Sequence, residues 1–241
     1  MDAKGGSKPK PVVTFKGTVL TEGVDYKLSY KNNKAVTNGS DLNKQPIMTI
    51  TGKGNFKGVR TEVYRIETQD IGLLNMTVAD KTYQKKANVY KSVPKIVDLD
   101  GKVLTAGKDY EKKVEYTYAE KTKLYNGVIR NAGESIGTED ILTAGTIVQV
   151  TVEGIGNYTG TIIGQYRIVQ TDIKKASVKV EAQTYTGSAI EPDKTQITIK
   201  MGKVTLADTD YEIVSYSNNV VKGTASMVIR GIGNYGGTKT V

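Results

Sequence analysis

The stretch GIGNYTG, residues 154–160, has the glycine spacing of a loop that could wrap a phosphate, because backbone N–H groups without side chains around them can close on an anion. It recurs as GKGNFKG at 52–58 and as GIGNYGG at 231–237. A phosphate loop has to lead into a helix whose first N–H groups face the ligand. Here the copies lead into strand patterns such as VRTEVYRI and TIIGQYRI. Glycine and asparagine adopt positive φ at little steric cost, so the motif is read as a tight hairpin or bulge. Its aromatic residue, Phe56, Tyr158 or Tyr235, then folds back over the end of the core.

The acids Asp25, Asp109 and Asp210 could in principle act as general acids or metal ligands. Each is followed by a tyrosine, Tyr26, Tyr110 or Tyr211, and this triple repetition favours a turn cap beside a core ring. The pairs Asn32-Asn33 and Asn218-Asn219 are read as turns that tolerate left-handed backbone. DLDG at 98–101 resembles the start of a calcium loop, but the later ligands and terminal glutamate are not at the required spacing, and a turn is expected. The chain contains no cysteine and no histidine, which removes thiol nucleophiles, disulfides, the usual zinc ligands and every Ser-His or Cys-His arrangement. No acidic pair stands out for glycoside hydrolysis. A non-catalytic protein without metal or cofactor is expected.

The net charge of +9 comes almost wholly from lysine, the arginines being Arg60, Arg65, Arg130, Arg167 and Arg230. Scarce arginine argues against nucleic acid as a partner, and scattered lysine suits a solvated surface or a blunted sheet edge. No apolar stretch approaches membrane-span length, so no membrane insertion is expected. The opening MDAKGGSKPKP is read as a flexible leader over 1–11 rather than a signal peptide.

The elements that must position these residues repeat three times. A leucine-led DY, the glycine motif and YRI (Tyr64 to Ile66, Tyr166 to Ile168) recur in one order. Asp70-Ile71 leads to Tyr83 and Asp172-Ile173 to Tyr185, with twelve residues from Ile to Tyr each time. The chain divides into units 1–68, 69–170 and 171–241, the first lacking its first strand segment and the third its last. PIMTIT, IVQVTVE and ASMVIR alternate, placing Met48 with Ile50, Val150 with Val152 and Met227 with Ile229 on one face. Strands joined by short Gly/Asn clusters, with no helical period, predict an all-β sandwich.

These residues resemble the bacterial immunoglobulin-like, glycine-rich tandem repeats of Gram-positive cell-surface proteins. The third unit matches best, through YTG at 185–187, DYEIVSYSNN at 210–219 and GTASMVIRGIGNYGG at 223–237, whereas the second replaces Y-x-N-N by VEYTYAEKTKLYN. The resemblance implies tandem immunoglobulin-like antiparallel β-sandwich units, neighbouring repeats of a longer chain, and an extracellular, cell-wall-associated place. It also implies adhesion, spacing or host-protein binding, an immunoglobulin being one specific candidate. The alternatives are a structural stalk that spaces a distal domain from the wall and, third, a carbohydrate-binding module.

The separations from Tyr26 to Gly52, Tyr110 to Gly154 and Tyr211 to Gly231 are 26, 44 and 20 residues. The second unit therefore carries a long insertion, about 117–145, and the first a shorter one within 35–46. Leu124, Tyr125, Val128 and Ile129 flank Asn126-Gly127, which predicts an added hairpin with a two-residue turn projecting from the sandwich. Insertions on a scaffold are common seats of binding, so Leu124, Tyr125, Val128, Ile129 and Arg130 form the candidate protein contact. The other reading is an inert excursion or a stiffening contact with the next unit. The linkers near 68 and 170 are secondary candidates.

Overall fold

The computed structural model describes residues 6–37 and 41–241; the first part of the leader and the centre of the 35–46 loop lie outside them. The protein is strand-rich, as expected for an all-β chain. Among the described residues its helical pieces are four 3-10 turns, each opened by an aspartate, Asp41, Asp70, Asp172 or Asp193, whose carboxylate accepts the N–H two residues on.

The chain forms two compact units whose division runs through the second sequence repeat. One comprises Met1–Thr77, Lys95–Val114 and Thr151–Ile163. It holds an antiparallel sheet in the order Tyr26–Lys31, Ile47–Gly52, Val59–Val63, and an antiparallel pair of Asn75–Thr77 with Lys95–Val97. The leader differs from expectation from Ser7 onward. Ser7 exchanges bonds with Asn33, its carbonyl also accepts from the Tyr64 hydroxyl at 2.6 Å, and the Pro9 carbonyl accepts from Tyr30 at 2.7 Å. Backbone tied down in this way belongs to the fold.

The other unit comprises Val78–Pro94, Glu115–Val150 and Gly164–Val241. Its part of the largest sheet runs Glu115–Tyr118, residues 147–150, residues 164–169 and Lys81–Thr82, the last pair being parallel. Two three-stranded sheets follow: Ser177–Val180, Ile197–Met201 and Val204–Thr205, then Tyr211–Ser217, Ser226–Gly231 and Thr238–Thr240. The alternation read from IVQVTVE is realised: Val148, Val150 and Val152 are fully buried, each worth about 2 kcal/mol of transfer, while the residues between them face outward.

The repeated motifs recur as repeated contacts. Asp25, Asp109 and Asp210 accept from the backbone N–H of Thr21, Thr105 and Ala207 at 2.8–2.9 Å, and Tyr26, Tyr110 and Tyr211 are buried beside them. Each of these tyrosines lies opposite the first glycine of the motif, Gly52, Gly154 or Gly231. That glycine donates to the last one at 2.9–3.0 Å, closing the loop into a hairpin, and the middle glycine has a φ of 62–67°. Asn32 and Asn218 are left-handed, as their turns require. Tyr30, Tyr116 and Tyr216 donate to the carbonyls of Pro9, Ser92 and Pro192, and Tyr166 donates to Tyr90 as Tyr64 does to Ser7.

The asparagine of the glycine motif has a further role. Asn157 accepts from the Val36 N–H at 3.1 Å and Asn234 from the Ala144 N–H at 2.8 Å, each through its side chain. Their carbonyls accept from Gln69 and Thr171, where Tyr158–Thr159 pairs in parallel with Gln69–Asp70, and Tyr235–Gly236 with Thr171–Asp172. Each asparagine thus ties its own repeat to a loop of the preceding one. Asn234→Ala is expected to cost about 1 kcal/mol, read as a lower urea midpoint; an unchanged midpoint would show the bond to be idle.

Tyr83 and Tyr185, matched by spacing, differ in setting. Tyr83 is buried edge-on against Tyr235 at 5.5 Å, whereas Tyr185 is 66% exposed.

Candidate functional site: the second-repeat insert

The insertion folds back on its own repeat. A hairpin pairs Thr122 with Arg130 and Lys123 with Ile129, and the Leu124 N–H reaches the Val128 carbonyl at 2.8 Å. Gly127 sits at φ 87° and donates to Leu124, while Asn126 is not left-handed and its side chain accepts from Val128. This is a three-residue loop closed by a left-handed glycine, not the two-residue turn expected; a two-residue type I′ turn would have needed positive φ at Asn126 as well.

The change of loop alters which side chains face out. Leu124 is 2% exposed and is a core residue, which removes it from any contact surface. Tyr125 is half-buried with the Lys85 ammonium 4.7 Å over its ring. Val128 and Ile129 stand in solvent, 43% and 54% exposed. Arg130 is committed inward: its guanidinium donates to Asp140 at 2.7 Å, so it serves the insert's interior before any partner. Of the five candidates, the structure therefore places two apolar side chains and part of one ring at the surface.

Asp140 is the polar centre of the insert. Almost fully buried, it accepts from Arg130, from the Gly137 N–H at 2.8 Å and from the hydroxyl of the fully buried Tyr118 at 2.8 Å. Burial alone pushes its carboxyl up, but those three donors and the Arg130 charge outweigh burial and hold it below the usual carboxylate range. The same burial, with the Asp140 charge, pushes the Tyr118 hydroxyl well up. Nothing in the sequence marks Asp140 among the other acids; its pairing with Tyr118 and Arg130 depends on a fold-back that carries no motif.

The rest of the insert pins the hairpin. Tyr125 donates through its backbone to Ile141 at 3.1 Å, the Thr143 hydroxyl to Lys123 at 2.9 Å, and Ile136 and Leu142 are buried. Residues 133–136 run antiparallel to Glu115–Tyr118, with Tyr118 bonded to Gly133 and Glu134, and Ile136 bonded to Tyr116. The expected projecting hairpin is thus the tip of a packed lobe.

Comparison with protein-family models, with curated proteins and with solved structures finds no match to this chain. The other places singled out in the sequence have structural partners. Asp98 of DLDG accepts from Asp100, Lys102 and the Tyr158 hydroxyl, which makes it the hub of a turn. The linkers near 68 and 170 are bonded to Asn157 and Asn234 as described. Among the described residues, no group of three or more acids is placed to hold a metal ion. A cavity of about 400 Å³ in the third repeat is lined by Ile190, Pro192, Tyr216 and Met227. By repeat position Ile190 matches Ser7 and Tyr90, the acceptors of Tyr64 and Tyr166.

Proposed function

We propose that the chain is a non-catalytic segment of a bacterial surface protein. It is built of three tandem immunoglobulin-like β-sandwich units, and the insert of its second unit contacts a host protein, an immunoglobulin being one specific candidate. The observation that carries the reading is the pair Val128 and Ile129, exposed on a hairpin whose base is locked by Leu124, Arg130 and Asp140. Exposed β-branched residues on a preorganised tip lose little side-chain entropy on association, and Tyr125 beside them adds an amphipathic ring. Support for the scaffold comes from the motifs that recur in each unit and from the identical bonds they make. The proposed setting is extracellular and wall-associated, with no cofactor.

The test is a binding screen of the chain against immunoglobulins and host glycoproteins, repeated with Val128→Glu and Ile129→Glu. The charged variants are expected to weaken binding at least about tenfold at unchanged melting temperature, since both positions are exposed. Absence of any partner at micromolar concentration, or full affinity in the variants, would sink the reading. Deleting 117–145 is the poorer test, because it also removes the buried Tyr118, Ile136 and Leu142.

One observation favours a second reading, a structural stalk. Asn157 and Asn234 make the same two bonds at successive repeat junctions, which is what a chain needs to unfold as a coupled series. For a stalk, the double variant Asn157→Ala/Asn234→Ala splits one urea transition into several; a single transition that merely moves argues against coupling through these bonds.

A further inference from the structure

The cavity of about 400 Å³ in the third repeat is an apolar groove, with Ile190, Tyr216 and Met227 along it and the exposed Tyr185, Val220 and Val221 at its rim. It lies wholly within the second compact unit. One wall ends in unpaired main chain. Among the described residues, the main-chain groups of Gly223 and Ala225, both exposed and both lining the groove, have no hydrogen-bond partner. Such a margin is open to a further strand.

The other two repeats carry the second observation. The Ser7 N–H donates to the Asn33 carbonyl and the Ser7 carbonyl accepts from the Asn33 side chain at 3.1 Å; Ile190 exchanges the same two bonds with Asn219, the second again at 3.1 Å. Two residues on, the carbonyls of Pro9 and Pro192 accept from Tyr30 and Tyr216. The Ser7 carbonyl takes one donor more, the Tyr64 hydroxyl at 2.6 Å, and in the second repeat the Tyr90 carbonyl takes that of Tyr166. A carbonyl oxygen can accept two such bonds, and that of Ile190 holds one. The main chain agrees. The Tyr64 N–H donates to Pro46 at 3.1 Å and the Ile168 N–H to Thr146 at 2.9 Å. Pro46 stands six residues before its first motif glycine, as Ala225 does, and Thr146 eight before, as Gly223 does. Ile66, Tyr166 and Ile168 are buried.

We propose that this groove binds an extended segment of another protein in which tyrosine and isoleucine stand two residues apart, added as a strand along Gly223 and Ala225. The tyrosine N–H donates to the Ala225 carbonyl and its hydroxyl to the Ile190 carbonyl. The isoleucine N–H donates to the Gly223 carbonyl, and both side chains cover the apolar lining. In strand addition the main-chain bonds supply affinity and the alternate side chains supply selectivity. A second copy of this chain is a poor donor, because its own Tyr-x-Ile segments, 64–66 and 166–168, are built into its first two repeats. The inference does not depend on the host-protein reading of the second-repeat insert.

The test uses the synthetic peptide EVYRIET, the sequence of residues 62–68, titrated into the isotope-labelled full chain and followed by amide shifts. Saturable shifts at 185–192 and 220–227 are expected, with a Kd on the order of 1 mM. The peptide methylated at its tyrosine nitrogen, and the peptide with Ile66→Asp, are each expected to bind about tenfold more weakly, and the peptide with Tyr64→Phe several-fold more weakly. In the chain, Val220→Glu is expected to weaken the peptide several-fold at unchanged melting temperature, since the position is exposed. No saturation by about 20 mM, or shifts confined to other residues, would overturn the proposal. Equal binding of the methylated peptide would do the same, since it would mean apolar contact without strand pairing. A chain that sediments as a dimer in which the amides of 223 and 225 are protected from exchange would assign the groove to a second copy, and so would also overturn it.

Discussion

Gly231→Ala is expected to destabilise the third repeat by about 3 kcal/mol. The reason is contact rather than φ. A Cβ on Gly231 would come 2.7 Å from the Gly236 nitrogen and 2.9 Å from the Gly236 oxygen and the Tyr235 carbonyl carbon. Those are backbone atoms of a loop that doubles back on itself, so no rotamer change relieves the clash. Opposite Gly231 lies Tyr211, 1% exposed, whose ring would have to move with the loop. Gly223→Ala is the control: nothing lies within 4 Å of its Cβ position, and the change is expected to be neutral or slightly stabilising. Urea midpoints of the two variants measure the difference; equal midpoints would refute the close-approach account.

Asp140→Ala is expected to cost a similar amount, about 3 kcal/mol, because it strands the Tyr118 hydroxyl and the Gly137 N–H inside the insert. The sign of its pH dependence follows from the lowered carboxyl. A carboxyl held below its unfolded value stabilises the fold at any pH above that value, about 3.9, and the contribution is lost as pH falls through the folded value. The difference in melting temperature between the native chain and Asp140→Asn should therefore be constant from pH 6 to 8 and narrow below about pH 4. A gap that persists undiminished at the lowest pH at which the chain still folds would mean that the carboxylate charge is not what binds the insert together. Tyrosine burial works from the other side: Tyr235 is pushed up to about 12, mainly by burial. Its contribution is full below the unfolded tyrosine value, near 10, and lost as pH rises through the folded one.

Most of the scaffold is legible from local pattern. The strand after each glycine motif is enough to exclude a phosphate loop, and the period of two in IVQVTVE is enough to bury Val148, Val150 and Val152. What is not legible depends on distance or on a shift of one residue. Asn157 and Asn234 look like turn formers, and their side-chain partners, Val36 and Ala144, share no motif that could have announced them. In the insert, a hairpin built on Asn126-Gly127 and one that uses Tyr125 as well differ by one residue in register. One residue of register exchanges inward for outward along a strand, which is why Leu124 turns out to be core. Asp140 illustrates a third cause: a buried acid is recognisable only by its donors, and the two that come from side chains lie 10 and 22 residues away in sequence.

The run of residues 133–136 along Glu115–Tyr118 limits how anything can recognise the second repeat there. Main-chain groups that a strand-adding ligand would seek are already in use, so β-augmentation is closed at that margin. Recognition has to read side chains instead, and side-chain recognition is altered by single substitutions in a way that backbone pairing is not. A binding surface at that margin would therefore change its specificity one residue at a time, while the strand beneath it keeps its partners.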